Sequence, residues 1–314
     1  MSKIFISPGD PSGIGPEITL KALNKNKKIQ HKFIIGGDAN YFEDFSKVLN
    51  LDLKFIEEES SGEGINIKHF PLKKDVILGK PDVVNSSYII DILSFGSLGS
   101  LSKKYKGLVT GPINKELINA SGYEFSGHTE FLSEICNKKK VVMLLMNKKL
   151  KIALLTTHIP LSEVPKKVTK KELEETIDII SNDFKKIFNV KNPLIGILGL
   201  NPHAGEGGYI GKEEEEVIKP FIKSSKKNLD GPLSADTAFI EQNIDIYDVF
   251  LAMFHDQGLP VIKSMGFGST LNITLGLPFF RVSVDHGTAY EIADKRVADF
   301  SSMNEALRTS VSLL

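Results

Sequence analysis

Seven histidines occur in the 314 residues, and three of them, His158, His203 and His255, share one context. Each follows an apolar run, in KIALLTTH, PLIGILGLNPH and VFLAMFH. Short apolar runs bounded by polar residues predict buried strands, so each histidine stands at the carboxyl end of a strand. If the strands are parallel neighbours, those ends share one edge, the edge at which open α/β sheets bind ligands. Three neutral imidazoles there are candidates to converge on one divalent ion of the zinc, cobalt, nickel or iron type, leaving positions open for substrate oxygens. The hydrolase spacings H-E-x-x-H and H-x-H are absent. His128 and His286 also stand in turns beside Gly, Thr or Asp, whereas His31 and His69 carry no motif and read as surface.

Downstream of His255, Lys263, Asn272 and Arg281 recur at nine-residue spacing through glycines and prolines. A point charge, an amide and a planar fork suit a phosphate or carboxylate; the competing reading is two surface salt bridges and a turn asparagine. Asp285 either orients His286 or begins the next helix. Asp236, in GPLSADTAFI, starts a helix as a cap or as something more. The single cysteine, Cys136, excludes an internal disulfide framework and reads as a small buried apolar residue.

The elements that must position these groups alternate between strand and helix. KIFIS is a strand followed by PGDPSGIGPEI, a Gly/Pro loop opening a helix through Glu17 to Leu23. Its glycines would let amides approach a ligand, and the helix start behind them favours an anion. Its spacing is neither a Walker loop nor a dinucleotide G-x-G-x-x-G. KFIIGG is a strand before a helix near Tyr41 to Leu49, residues 57–64 are a polar surface loop, and 83–104 have helical spacing before GLVT and the turn GPINK. His128 and Thr129 enter a short helix. VVMLLM and KIALLTT, split by NKKL, form a hairpin, so the sheet is mixed. TKKELEETIDIISNDFKKIF is a helix with a Thr169–Glu172 capping box and a core face of Leu173, Ile177, Ile180, Phe184 and Ile187. Glu213 to Glu216 read as helix-start charge, and SSMNEALRTSVSLL as a closing amphipathic helix. This rhythm predicts a three-layer α/β/α architecture. With no linker in the sequence, a domain division must be discontinuous: 1–125 with 285–314, and 126–284.

Composition is that of an ordinary globular chain, 41% hydrophobic and 25% charged. Lys plus Arg equals Asp plus Glu at 39 each, so no field of one sign calls for nucleic acid or a membrane. KNKK near residue 25 and KKK at 138–140 read as solvated faces. With no signal-like leader, no apolar run of spanning length and one cysteine, the expected compartment is the cytoplasm.

Taken together, GDPSGIGPE, TGPINK, SGHTEFL, TTHIPL, LNPHAGEGG, GPLSADTAF and the run AMFHDQGLPVIKSMGFGSTLNITLGLPFFRVSVDHGTA resemble the 4-hydroxythreonine-4-phosphate dehydrogenase family of pyridoxal 5'-phosphate biosynthesis. The resemblance spans nearly the whole chain. It implies a two-domain fold with a cleft, similar to isocitrate and isopropylmalate dehydrogenases, acting as a homodimer with shared active sites. It implies a divalent metal, zinc first with magnesium, cobalt or manganese as alternatives, held by His158, His203 and His255, with the third supplied by the partner subunit, so that His158→Ala and His255→Ala chains would complement each other. It implies substrate contacts from His128, Thr129, Lys263, Asn272 and Arg281. The implied reaction is NAD- or NADP-dependent oxidation of 4-phosphohydroxy-L-threonine, whose keto-acid product loses CO2 to give 3-amino-2-oxopropyl phosphate. The hydroxyl proton goes to His128, to Asp236 or to a metal-bound water. A dehydrogenase of 4-phospho-D-threonate or 4-phospho-D-erythronate shares these motifs; a three-histidine hydrolase and a non-catalytic sugar-phosphate binder are the readings from other classes.

Overall fold

The computed structural model of the chain describes residues 3–58, 60, 62–266 and 268–314. Glu59 and Ser61 of the expected surface loop, and Phe267 of the last motif, lie outside the described residues. Two compact units form, Met1–Lys139 with Leu277–Leu314, and Lys140–Gly276. The division is discontinuous, with boundaries at 139/140 and 276/277 where sequence pattern suggested 125/126 and 284/285. Two contacts explain the difference: the helix beginning at His128 packs on the helix 86–101, and the strand beginning at Phe280 pairs with the strand 107–110.

Unit 1 is built on β1 (Ile4–Ser7), β2 (Phe33–Gly37), β3 (Phe55–Glu57), β4 (Ile65–His69), β5 (Gly107–Thr110) and β12 (Phe280–Val284), in the order β3-β4-β2-β1-β5-β12. Every pairing is parallel. β1, β2, β5 and β12 are buried at every position, as parallel strands covered by helices on both faces must be. The helices are α1 (Gly15–Lys25), α2 (Ala39–Val48), α3 (Ser86–Leu101), α4 (Lys115–Ala120), α5 (His128–Ile135), α12 (Tyr290–Ala293) and α13 (Ser301–Leu313). Register sets Arg281 beside Leu108 and Leu108 beside Phe5, so Arg281 shares the sheet face against which α3 packs through Gly96.

Unit 2 contains β6 (Val142–Met146), β7 (Lys151–Leu154), β8 (Ile195–Leu198), β9 (Leu229–Leu233), β10 (Val249–Ala252) and β11 (Leu271–Leu275), in the order β11-β6-β7-β10-β8-β9. The β6–β7 hairpin and the β11–β6 pair are antiparallel and the rest parallel, giving the expected mixed sheet. Its helices are α6 (Val164–Lys167), α7 (Lys170–Ile187), α8 (Lys219–Ser224), α9 (Ala235–Ala238), α10 (Glu241–Ile244) and α11 (His255–Met265). On one face Ile152, Phe250, Leu259 and Ile262 form a core with α11, and on the other Ala153, Ile197 and Leu251 are equally sealed. On α7 Leu173, Ile177, Ile180 and Phe184 are buried as patterned, while Ile187 is half-buried. The capping box is half-formed: the Thr169 hydroxyl accepts from the Glu172 N–H at 3.2 Å, but the Glu172 carboxylate turns to Lys140 Nζ at 2.6 Å. An ion pair with a half-buried lysine outcompetes the reciprocal bond to the cap amide.

Candidate active site

β7, β10 and β8 are adjacent and parallel, so the segments carrying His158, His255 and His203 leave the same edge of unit 2. Side chains tie the three exits together. Thr156 Oγ1 donates to the Met253 carbonyl at 2.7 Å, the Met253 N–H donates to Gln257 Oε1 at 2.7 Å, and Gln257 Nε2 donates to the Gly199 carbonyl at 2.6 Å. These bonds replace the strand pairing that ends at Ala252, and they hold loops that would otherwise splay apart.

The His158 and His255 rings come to 5.7 Å between centroids. Two imidazoles bound tetrahedrally to one ion at about 2 Å would have centroids about 5 Å apart, so this pair fits a shared divalent metal. His255 Nδ1 lies 2.7 Å from Asp256 Oδ1, an arrangement that orients the ring and leaves Nε2 for a ligand. His203 Nδ1 lies 3.3 Å from Asp236 Oδ2. Among the described residues no group of three or more His, Cys, Asp and Glu is placed to hold a metal ion. One chain thus joins two of the three candidate imidazoles.

His203 opens a run of left-handed backbone: φ is +51° at His203, +50° at Ala204, +79° at Gly205, +44° at Glu206 and +68° at Gly207. Left-handed conformations at non-glycine residues cost about 1–2 kcal/mol each and persist where surroundings impose them. Glu214 is the imposing group. It is fully buried, and its carboxylate accepts the Leu200 N–H at 2.7 Å, the Asn201 N–H at 2.8 Å and Asn201 Nδ2 at 2.9 Å. A side chain at Gly205 would meet Glu214 Oε2 at 2.6 Å. The acidic run at 213–216 is therefore more than helix-start charge, since Glu214 folds the His203 loop from within. Glu214→Gln is expected to lower the unfolding free energy by about 2 kcal/mol, the scale of one charge-assisted hydrogen bond, with a loss of metal affinity exceeding that of a surface control; denaturant titration and metal titration measure the two.

Asp236 lies in the first turn of α9, where Ser234 occupies the N-cap position. The Ser234 hydroxyl, with the His203 ring as a lesser cause, holds its carboxyl below the usual range, so it stays ionised and steadies the His203 ring. Lys263 lies in the last turn of α11, not in a loop, and Asn272 lies on β11 opposite Leu145; both are half-buried.

In unit 1, His128 and Thr129 open α5 as expected. The His128 ring is held well below its usual pKa, first by burial and then by the Arg281 charge, and its sealed Nε2 has no hydrogen-bond partner among the described residues. Arg281, 2% exposed, donates from Nη2 to Thr110 Oγ1 at 2.8 Å. Burial brings its pKa down to about 10, opposed by Glu130, so it remains a cation. The helix after Asp285 begins at Tyr290, which removes the reading of Asp285 as a helix start. His286 Nδ1 lies 3.1 Å from the Gly287 carbonyl oxygen. Cys136 is half-buried at the end of α5, and burial raises its thiol pKa, the condition of an inert side chain.

The glycine loop does something other than expected. Residues 8–20 are buried throughout, and added side chains would strike backbone: Gly9 at 2.1 Å from the Pro112 oxygen, Gly15 at 2.1 Å from the Pro8 oxygen, Gly111 at 2.0 Å from the same oxygen. The glycines interlock two loops of the chain. At their centre Asp10, unremarked in sequence, accepts the Ser12 N–H at 2.8 Å and the Tyr290 hydroxyl at 2.7 Å, and burial raises its pKa. Asp10 and Glu214 share a signal the residues did carry, a polar residue one to three positions from a loop glycine, but that signal is too common to choose them; Gln257 lies inside α11 beside Gly258.

The sequence pattern of the pyridoxal phosphate biosynthetic protein PdxA matches residues 28–310. This chain belongs to the PdxA family. It is 40% identical over 323 aligned positions to the 4-hydroxythreonine-4-phosphate dehydrogenase of Yersinia enterocolitica, covering 100% of this chain and 97% of that one. Against the enzyme of the same name from Vibrio parahaemolyticus identity is 41%, covering 99% and 97%. The crystal structure of the Klebsiella pneumoniae 4-hydroxythreonine-4-phosphate dehydrogenase superposes with a TM-score of 0.89 at 30% identity over 100% of this chain and 99% of that one. That from Burkholderia phymatum gives 0.86 at 32% over 100% and 98%. These relatives are dehydrogenases by name, and the PdxA-family fold they share with this chain is the α/β architecture expected from its motifs. No helix among the described residues is long and apolar enough to cross a membrane.

Proposed function

We propose that this chain is a 4-hydroxythreonine-4-phosphate dehydrogenase that oxidises its substrate with NAD or NADP and a divalent metal, in pyridoxal 5'-phosphate biosynthesis. The observation that carries the reading is the His158–His255 pair at the shared carboxyl edge of β7 and β10, in a chain 40% identical along its whole length to enzymes of that name. His158, His255 and one His203 would hold the metal, zinc in the first instance, which would supply polarisation of the oxygen on the carbon being oxidised, and a bound nicotinamide would supply the hydride acceptor.

The chain's own residues bind and orient. Arg281, dry and cationic, and Lys263 and Asn272 are donors to the anionic parts of the substrate, with Thr129 a further contact. His128 presents a neutral Nε2 to a substrate O–H or N–H. A proton kept on that ring would sit beside Arg281 in a buried site, so His128 serves as an acceptor that aims the reacting group and not as the final proton store. Asp256 and Asp236 hold the His255 and His203 rings, and the Glu214 carboxylate holds the loop that delivers His203.

The pair also bears on assembly. Tyr209, 93% exposed, and Ile210, 45% exposed, sit just after the His203 loop, and large exposed apolar groups beside an exposed ligand suit an interface. The working unit is a homodimer in which His203 completes the His158–His255 pair of its partner. The test of the activity is direct: protein, divalent metal, NAD or NADP and 4-phosphohydroxy-L-threonine should give reduced nicotinamide, stopped by chelation. Reduction with 4-phospho-D-threonate or 4-phospho-D-erythronate alone, or no reduction with either cofactor, overturns the reading.

A further inference from the structure

Asn119, in the last turn of α4, builds the turn that delivers His128. Its side chain binds the main chain of Phe125, six positions on, in both directions: Nδ2 donates to the Phe125 carbonyl oxygen at 2.8 Å, and Oδ1 accepts the Phe125 N–H at 2.9 Å. The amide thus stands in for a neighbouring strand. Nδ2 also donates to the Lys115 carbonyl oxygen at 2.9 Å, so the same group is anchored to its own helix and both of its donor hydrogens are committed. Asn119 is exposed, yet its amide is turned from water to main chain at three points, which makes it a fixed bracket.

What the bracket fixes is an aromatic ring. Phe125 is 3% exposed. Its ring meets that of His128 in a T-shaped contact, with centroids 6.2 Å apart and planes at 79°, and lies 5.5 Å from the ring of Phe131. His128 and Phe131 are three apart on α5 and share one face of it, so Phe125 is a wedge against that face. Between wedge and helix the chain turns at Gly127, where φ is +151° and an added side chain would come 2.7 Å from Glu130 Oε2. The His128 Nε2 is sealed and has no hydrogen-bond partner among the described residues, so on that side the imidazole is aimed by packing.

We infer that Asn119 and Phe125 are positioning residues for His128: Asn119 clamps the main chain of Phe125, and the Phe125 ring holds the imidazole in the orientation that presents Nε2 to the substrate. Neither residue touches substrate; both act through His128. The inference rests on the proposed function for the part His128 plays there, and its first test reads the clamp without substrate or cofactor, so the two can fail separately.

Modification of the imidazoles by diethyl pyrocarbonate, followed residue by residue by mass spectrometry on the full-length protein, is that test. His286 is the internal reference, because its Nε2 is likewise sealed within unit 1. Asn119→Ala and Phe125→Leu should each speed modification of His128 by about 2- to 13-fold, the factor for one edge-to-face aromatic contact, and leave His286 unchanged. With 4-phosphohydroxy-L-threonine, divalent metal and NAD or NADP, Asn119→Ala should lower kcat/KM by about 10- to 100-fold, the scale of a group misplaced by about 1 Å. Phe125→Leu should be impaired, and Phe125→Tyr, which keeps the ring, should recover most of the loss. Phe125→Leu serves where Asn119→Ala fails to fold, which circular dichroism reports. Equal acceleration at His128 and His286 would mean general loosening and overturns the positioning role, as does unchanged labelling of His128 in both variants, or equal kcat/KM for Phe125→Leu and Phe125→Tyr. A wild-type protein that reduces no nicotinamide while His128 labelling responds as expected would overturn the dehydrogenase reading and leave the clamp standing.

Discussion

His255→Ala should lower kcat/KM by about a thousandfold or more, because a metal-polarised oxygen is worth several kcal/mol in the transition state and each factor of ten corresponds to about 1.4 kcal/mol. His158→Ala and His203→Ala should be comparably impaired, and each variant should retain less bound metal. The arrangement of the histidines then decides which inactive chains rescue one another. His158 and His255 are neighbours within one chain, so in a shared site they belong to the same half and His203 to the other. Mixing His203→Ala with His255→Ala protein should rebuild one intact site in each hybrid dimer; with random exchange in a two-fold dimer, about a quarter of wild-type activity should return. Mixing His158→Ala with His255→Ala should restore nothing, since every site of that hybrid lacks one member of the pair. Activity from the second mixture, or none from the first once subunit exchange has been verified, would show that the histidines are divided differently. Full activity in a metal-free preparation would remove the metal site altogether.

Arg281→Lys should lower kcat/KM by about 10- to 150-fold, the equivalent of one charge-assisted hydrogen bond at roughly 1.5–3 kcal/mol. Arg281 is 2% exposed and one arm of its fork is already committed to Thr110. A lysine keeps the charge but cannot hold Thr110 and a ligand oxygen in the same plane. The comparison that isolates the ligand uses 4-hydroxythreonine without its phosphate. That substrate should be poor with the wild-type protein and should lose little more on mutation, because the group the arginine grips is missing; the four rates form a cycle between enzyme and substrate. Equal losses with both substrates, together with a fall in Tm, would make Arg281 a structural cation for α5 and assign the phosphate to other donors.

The sequence by itself determined what depends on local pattern. Apolar runs ending in Thr-Thr-His, Asn-Pro-His and Phe-His marked the strands and the edge to which their histidines belong, because strand burial and chain direction are written in composition and order. The Asn147–Leu150 turn was equally legible as a hairpin, since two apolar runs split by the short segment Asn-Lys-Lys-Leu have few other ways to pair. So was the core face of α7. What only the tertiary structure decided are relations between residues distant in the chain. Glu214 looks like any helix-start glutamate until the chain folds back and three donors from 200–201 close on its carboxylate. The glycines of the first loop are indistinguishable in sequence from those of an anion loop, yet their hydrogens face the backbone of Pro8 and Pro112 at distances no Cβ allows. Arg281 reads as a surface donor because arginine is rarely dry, and it is the β5–β12 register that places it inside. Three equivalent histidines in sequence become a pair and a third in space, because the left-handed run at 203–207 turns His203 toward Asp236, and backbone sign is a property that spacing between residues does not encode.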